Sequence, residues 1–168
     1  MRERLVNINK IDAEEDFDDF LMAMDDQLEW LEEQASELNL ELGISKNTPE
    51  LLEALFDRMS EGMNDDNKDR LLVIFGRYLG EFVRITYGGK WTLPLDDEKN
   101  INFNTPVIVG HSKFEGLEFS PIRTMRAYSL RKKPGMIRKI IHSDISPQIL
   151  DLSKVASKEK LPDNDREN

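Results

Sequence analysis

Glu81 is the residue whose setting most invites chemistry in this chain of 168 residues. It falls on the flank of a helical segment that also carries Ile74, Tyr78 and Ile85, so its carboxylate is expected partly inside protein. Desolvation there would raise its pKa towards the range of a general acid or base. Acid–base work needs a second positioned group, and none accompanies it. The structural expectation is that Glu81 accepts from Trp91 or from the amides of the Gly88-Gly89 turn, because buried charges are ordinarily paired. His111 and His142 lie in different segments with no His-x-x-x-His spacing, and are read as surface residues rather than metal ligands. Asp96-Asp97-Glu98 lacks the alternating oxygens and central glycine of a calcium loop and reads as a solvated turn. No serine sits in a Gly-x-Ser-x-Gly elbow and there is no cysteine, so the usual covalent nucleophiles are poorly represented. Gly76-x-x-x-Gly80 lacks the Lys-Ser/Thr ending of a phosphate loop. The chain is therefore read as no enzyme, with no catalytic residue, no cofactor and no metal.

A different pattern dominates the N-terminal third. Between Ile11 and Ser45 there are thirteen carboxylates and no Lys or Arg. Through them runs an apolar ladder of Phe17, Leu21, Met24, Leu28, Leu31, Ala35, Leu38 and Leu42, in steps of three and four. That spacing puts the apolar residues on one stripe of a long helix and the acids on the remaining surface. Asp18, Asp19, Asp25, Asp26, Glu29, Glu32 and Glu33 then form a negative track able to mimic phosphates or plug a basic cleft. The competing readings are a solvated face and, because the ladder's mean step is 3.5 residues, a homodimeric coiled-coil seam.

Charge is segregated along the chain. The formal total is −10, but Asp12 to Asp66 holds nineteen acids against only Lys46 and Arg58, a net of −17. His111 to His142 holds eight bases against Glu115 and Glu118, a net of +6. The basic cluster of Arg123, Arg126, Arg131, Lys132, Lys133, Arg138 and Lys139 has Tyr128 as its lone aromatic, too few for base stacking, so nucleic acid is not the expected partner. Its expected use is neutralisation of the first helix, within the chain or between subunits. No apolar run approaches the ~18 residues of a membrane span, and the first residues lack a secretory signal. With no cysteine, a reducing, cytoplasmic setting is expected.

The elements that must position these residues follow from caps and periodicity. Asp12 and Glu15 suggest a capping box for a first helix running to Leu42 and closing at Gly43. Thr48 caps a second helix, with Pro49 first and Leu51, Leu52, Leu55, Phe56 and Met59 inward, ending near Gly62. Asn64 to Asp66 caps a third, nearly surrounded helix through Leu71, Leu72, Phe75, Leu79, Phe82 and Val83 to Gly88-Gly89. Gly76 and Gly80 within it imply another backbone close by. Lys90–Leu95, Ile101–Phe103 and Pro106–Val109 read as short strands, with a turn over 96–100. Ser120-Pro121 opens a helix running towards Arg131, residues 132–135 break it, and Ser146-Pro147 starts a final short helix around Ile149, Leu150 and Leu152. The fold class is α+β: an acidic helical hairpin over 11–62, an α+β core over 63–157 on a small antiparallel sheet with closing C-terminal helices, and a flexible tail over 158–168. All of this is read as one domain.

Tyr78-Leu79-Gly80-Glu81 inside a helix, Gly88-Gly89-Lys90-Trp91 at its turn into a strand, Pro106-Val107-Ile108-Val109 on a strand and Phe119-Ser120-Pro121 opening a helix together resemble a class of small bacterial α+β domains. Some such domains are similar to the immunity proteins encoded beside secreted toxins. The resemblance covers about a third of the chain and its motifs are structural: Tyr78, Gly80, Glu81, Gly88, Gly89, Trp91 and Pro121 specify a fold better than an activity. The resemblance implies an immunity protein; with the acidic helices, which lie outside it, the expected function is a non-enzymatic protein that neutralises a cognate basic toxin by steric and electrostatic occlusion. The alternative is a homo-oligomeric structural or scaffold protein joined through helix one.

Overall fold

A computed structural model describes residues 9–146. In chain order these form α1 (Lys10–Met22), α2 (Met24–Glu37), α3 (Thr48–Met59), α4 (Asp65–Tyr87), β1 (Lys90–Thr92), β2 (Val107–Val109), β3 (Glu118–Phe119), α5 (Pro121–Arg131) and α6 (Met136–Ile145). The fold is α+β, as the sequence predicts. The predicted helix after Ser146 and the tail over 158–168 lie outside the described residues.

The N-terminal rod differs from its prediction at three points. Its cap is Asn9, whose side chain accepts from Ile11 N at 3.1 Å, upstream of the expected Asp12 box. Ala23, at φ −81° and ψ −1°, divides it into α1 and α2, although alanine is the best helix former and no glycine or proline is near. Tertiary packing decides this break: on either side of it, Phe20 and Met24 are buried together with Ile122 of α5. The rod closes at Asn39 rather than Gly43. Asn39 adopts the left-handed conformation at φ 59°, and Leu40 N donates to Ala35 O at 2.9 Å, the wrapped closure asparagine can make in place of glycine. The inward stripe runs through Ala13, Phe20, Met24, Leu31 and Ala35, so Phe20 takes the place expected for Leu21, which is exposed.

The cap of α3 is Asn47, not Thr48. Thr48 is buried and closes the preceding loop instead, accepting from Ser45 N at 2.8 Å and donating to Gly43 O at 2.5 Å. The other local signals act as expected. Asn64 caps α4 by accepting from Asn67 N, Gly88 ends it at φ 90°, and Ser120 caps α5 ahead of Pro121.

α4 is the axis of the molecule. Leu71, Leu72, Phe75, Tyr78, Leu79, Phe82 and Val83 are buried from it, against Leu31 and Ala35 of α2, Leu52, Leu55 and Phe56 of α3, Ile108 and Phe119 of the sheet, Met125 and Tyr128 of α5 and Ile137 and Ile141 of α6. The α5 backbone passes so near that a Cβ on Gly76 would meet Ile122 Cα at 3.1 Å.

The sheet is antiparallel in the order β1-β2-β3. Trp91 pairs with Ile108 and Ile108 with Phe119, so this row lies on one face of the sheet. Gly89, at φ 100°, enters β1 where a Cβ would stand 2.5 Å from Val109 O, which no other residue tolerates. Ile101–Phe103 is not a strand: Asn100 accepts from Asn102 N at 2.9 Å through its side chain, and the segment folds into successive turns.

Two elements have no counterpart in the sequence prediction. β3 is only two residues long. α6 follows the expected break at 132–135 and buries Met136, Ile137 and Ile141. Its N-terminus has no side-chain cap of its own, because Glu53 of α3 supplies one, accepting from Gly135 N at 2.8 Å and Ile137 N at 3.0 Å.

Candidate functional site

Asp18, Asp19, Asp25, Asp26, Glu29, Glu32 and Glu33 are all exposed along α1 and α2. At the helical rise of 1.5 Å per residue the run from 18 to 33 covers about 22 Å. Among the described residues no Lys or Arg pairs with any of them; the ion pairs are Arg84–Glu81, His111–Asp144, Lys132–Asp57 and Arg138–Glu50. Among the described residues only Glu32 of the seven has an internal partner, accepting from the Tyr78 hydroxyl at 2.7 Å. Burial and this carboxylate together push the Tyr78 phenol well above its ordinary pKa, so it stays a donor. Met22, which is 81% exposed, closes α1 one turn after Asp18, just before Asp25 and Asp26 open α2; Trp30, also exposed, lies one turn from both Asp26 and Glu33. The ridge thus joins negative charge to two large apolar side chains.

The motif residues read from the sequence converge underneath this ridge. Trp91 is the hub. Its indole N–H donates to Glu81 Oε1 at 2.7 Å, and its ring meets Phe20 of α1 edge-on with centroids 5.1 Å apart. Gly80 makes room for that ring, since a Cβ there would overlap the indole and meet Pro121 Cγ at 3.0 Å. Arg77 of α4 holds its guanidinium 4.3 Å above the Phe20 ring, a cation–π contact, and Arg77 Nη1 reaches Gln27 Oε1 at 3.5 Å. Burial lowers the Arg77 pKa. Tyr78, Gly80, Glu81, Trp91 and Pro121 together seat α1 and α2.

Glu81 is buried and accepts a two-pronged interaction from Arg84, at 2.9 and 2.7 Å, besides the indole bond. Burial pushes its carboxyl up, but the Arg84 guanidinium and Trp91 outweigh that and hold it below the usual carboxylate range, the reverse of the raised pKa an acid–base role needs. The same ion pair raises Arg84.

His111 is not a surface residue. It is buried, with Nε2 2.6 Å from Asp144 Oδ2 and its ring 6.1 Å from that of Phe119, tying the loop after β2 to α6. Thirty-three positions separate the pair, so no local spacing announces it. His142 is exposed. Among the described residues no three His, Asp or Glu side chains converge as a metal site would require, and no helix is long and apolar enough to cross a membrane.

Within one chain the basic cluster does not neutralise helix one. Arg138 forks onto Glu50 of α3 at 2.5 and 2.7 Å and also donates to Lys46 O, and Lys132 stands 3.8 Å from Asp57 of α3. The fork lowers Glu50 and raises Arg138. α3, not the ridge, is the counterpart of the basic segment, because α6 packs beside it and α2 faces α4. No protein-family model, curated protein or solved structure matches this chain.

Proposed function

We propose that this chain is a non-enzymatic binding protein whose α1–α2 ridge covers the cationic surface of a protein partner, acting in the cytoplasm as the immunity protein of a cognate basic bacterial toxin. One observation carries the reading: seven carboxylates stand exposed on a rigidly seated helix pair, and no Lys or Arg among the described residues pairs with them. Such a field attracts a basic partner at long range and accelerates encounter. Met22 and Trp30, exposed among the acids, supply apolar anchors that slow release once the surfaces meet. Inhibition is steric: the ridge occupies the partner's basic cleft. Glu81, committed to Arg84 and Trp91, serves the seating of the ridge rather than turnover.

The test is a pull-down at low and high salt, followed by binding kinetics with the cationic protein recovered. Reversing Asp18, Asp25, Glu29 and Glu33 to Lys should lower the association rate at least tenfold and flatten its salt dependence. Trp30→Ala should act mainly on dissociation. Unchanged affinity in the four-fold reversal counts against the proposal.

The alternative, a homo-oligomer joined through the apolar ladder of helix one, needs a stripe that the fold already uses. Met24, Leu31 and Ala35 are buried against the chain's own core.

A further inference from the structure

α5 carries a surface opposite in sign to the ridge and built on the same plan. A groove of about 560 Å³ runs between α5 and the turns over 101–106. Its apolar members include Ile101, 71% exposed, and Leu130, 80% exposed, and its rim carries Arg123, Arg126 and Arg131. Arg123 donates to Asn102 Oδ1 at 3.1 Å, whereas Arg126 and Arg131 have no hydrogen-bonding or ionic partner among the described residues. Large aliphatic side chains beside two unpaired guanidiniums parallel Met22 on the carboxylate-bearing ridge. Neither surface is satisfied by the other within one chain.

We infer that the α5 groove receives the α1–α2 ridge of a second copy of this protein, with Met22 against Leu130 and Ile101 and the Asp18, Asp25 and Asp26 carboxylates against Arg126 and Arg131. The contact joins two different surfaces, so it is head-to-tail and leaves a free ridge at one end and a free groove at the other. Copies of net charge −10 repel at long range, but at 0.1 M salt the screening length is about 10 Å, so contact pairs outlast that repulsion. The same ridge is what the proposed function offers to a foreign basic protein. Self-association would therefore store the ridge until a stronger partner displaces the groove.

Sedimentation velocity across a concentration series tests this with the full chain. The wild type should form species that grow with concentration and shrink at high salt. Two sets of neutralising variants, Asp18→Asn with Asp25→Asn and Asp26→Asn, and Arg126→Gln with Arg131→Gln, should each be monomeric and fully folded by circular dichroism. Mixed in equal amounts they should give a one-to-one dimer and nothing larger, because one intact ridge meets one intact groove. A wild type that stays monomeric, growth that survives the arginine changes, or a mixture that stays monomeric overturns the inference. So does a monomeric wild type that binds polyglutamate or inorganic phosphate through Arg126 and Arg131, which would assign the groove to a foreign anion. The arginine variants leave the ridge intact, so loss of self-association with retained binding of a cationic partner separates this inference from the proposed function.

Discussion

Glu50, Glu53 and Asp57 follow one another along α3 in steps of three and four, and each reaches a donor on α5 or α6. Glu50 holds Arg138, Glu53 takes the two amides that open α6, and Asp57 accepts from the Tyr128 hydroxyl at 2.9 Å. On α1 and α2 carboxylates recur at comparable spacing, yet of the seven ridge residues only Glu32 meets an internal donor among the described residues. Acid content does not separate these helices. What differs is the layer alongside: α3 packs beside α6 and its basic approach, whereas the outer side of α1 and α2 has no described layer over it. A carboxylate is tied into the packed structure where the fold sets a donor opposite it, and elsewhere its charge stays open to a partner.

The largest test of that contrast is Glu53→Leu. Glu53 is 6% exposed, and removing it orphans two amides, so unfolding free energy should fall by about 3 kcal/mol in a urea titration. Glu33→Leu on the ridge should change it by no more than about 0.5 kcal/mol. Equal losses would erase the distinction between the two helices. Next comes the seating of the ridge. Gly80→Ala pushes the Trp91 ring off its place and should cost about 2 kcal/mol, with a shift in Trp91 fluorescence read in a Trp30→Phe background.

Glu81→Gln should cost about 1.5 kcal/mol near neutral pH. The folded pKa is lowered, so the ionised carboxylate stabilises above the unfolded value of about 4.3, and that contribution fades as pH falls through the folded value. The gap between wild type and variant should therefore close in acid; a constant gap would mean that packing alone is at stake. Tyr128→Phe should cost about 1 kcal/mol. Burial and Asp57 raise the Tyr128 phenol, and burial and Glu32 raise that of Tyr78, so their stabilisation is complete below about pH 10 and is lost as pH rises beyond it. The double Phe variant should lose less stability in alkali than the wild type. The smallest effect belongs to the ridge. Asp18→Asn with Asp25→Asn and Asp26→Asn should raise the melting temperature slightly at low salt by relieving like-charge repulsion, and leave it unchanged at high salt.

The helices were legible wherever their ends are local. Asn64 at the start of α4, Gly88 at its end and Ser120-Pro121 at the start of α5 satisfy their orphan groups within a few residues, so residue type discloses them. The same is true of Gly76 and Gly80, which the α5 backbone and Trp91 require. α6 has no local start signal, because its cap is Glu53, more than eighty positions upstream, although Met136, Ile137, Ile140 and Ile141 show a helical period. For the candidate site, the seven acids and the motif around Trp91 could be read as two separate features. That the motif seats α1 through Phe20, and that Met22 and Trp30 stand among the acids, emerged only from the packing.

By itself the sequence determined the segregation of charge, the amphipathic stripes and the helix ends with near neighbours for partners, because each depends on intervals of a few residues along one chain. The tertiary structure alone decided the break at Ala23, the cap of α6, the burial of His111 against Asp144 and which carboxylates found a cation. Those outcomes turn on what another element brings within about 3 Å, the reach of a hydrogen bond, and no spacing along the chain encodes that distance.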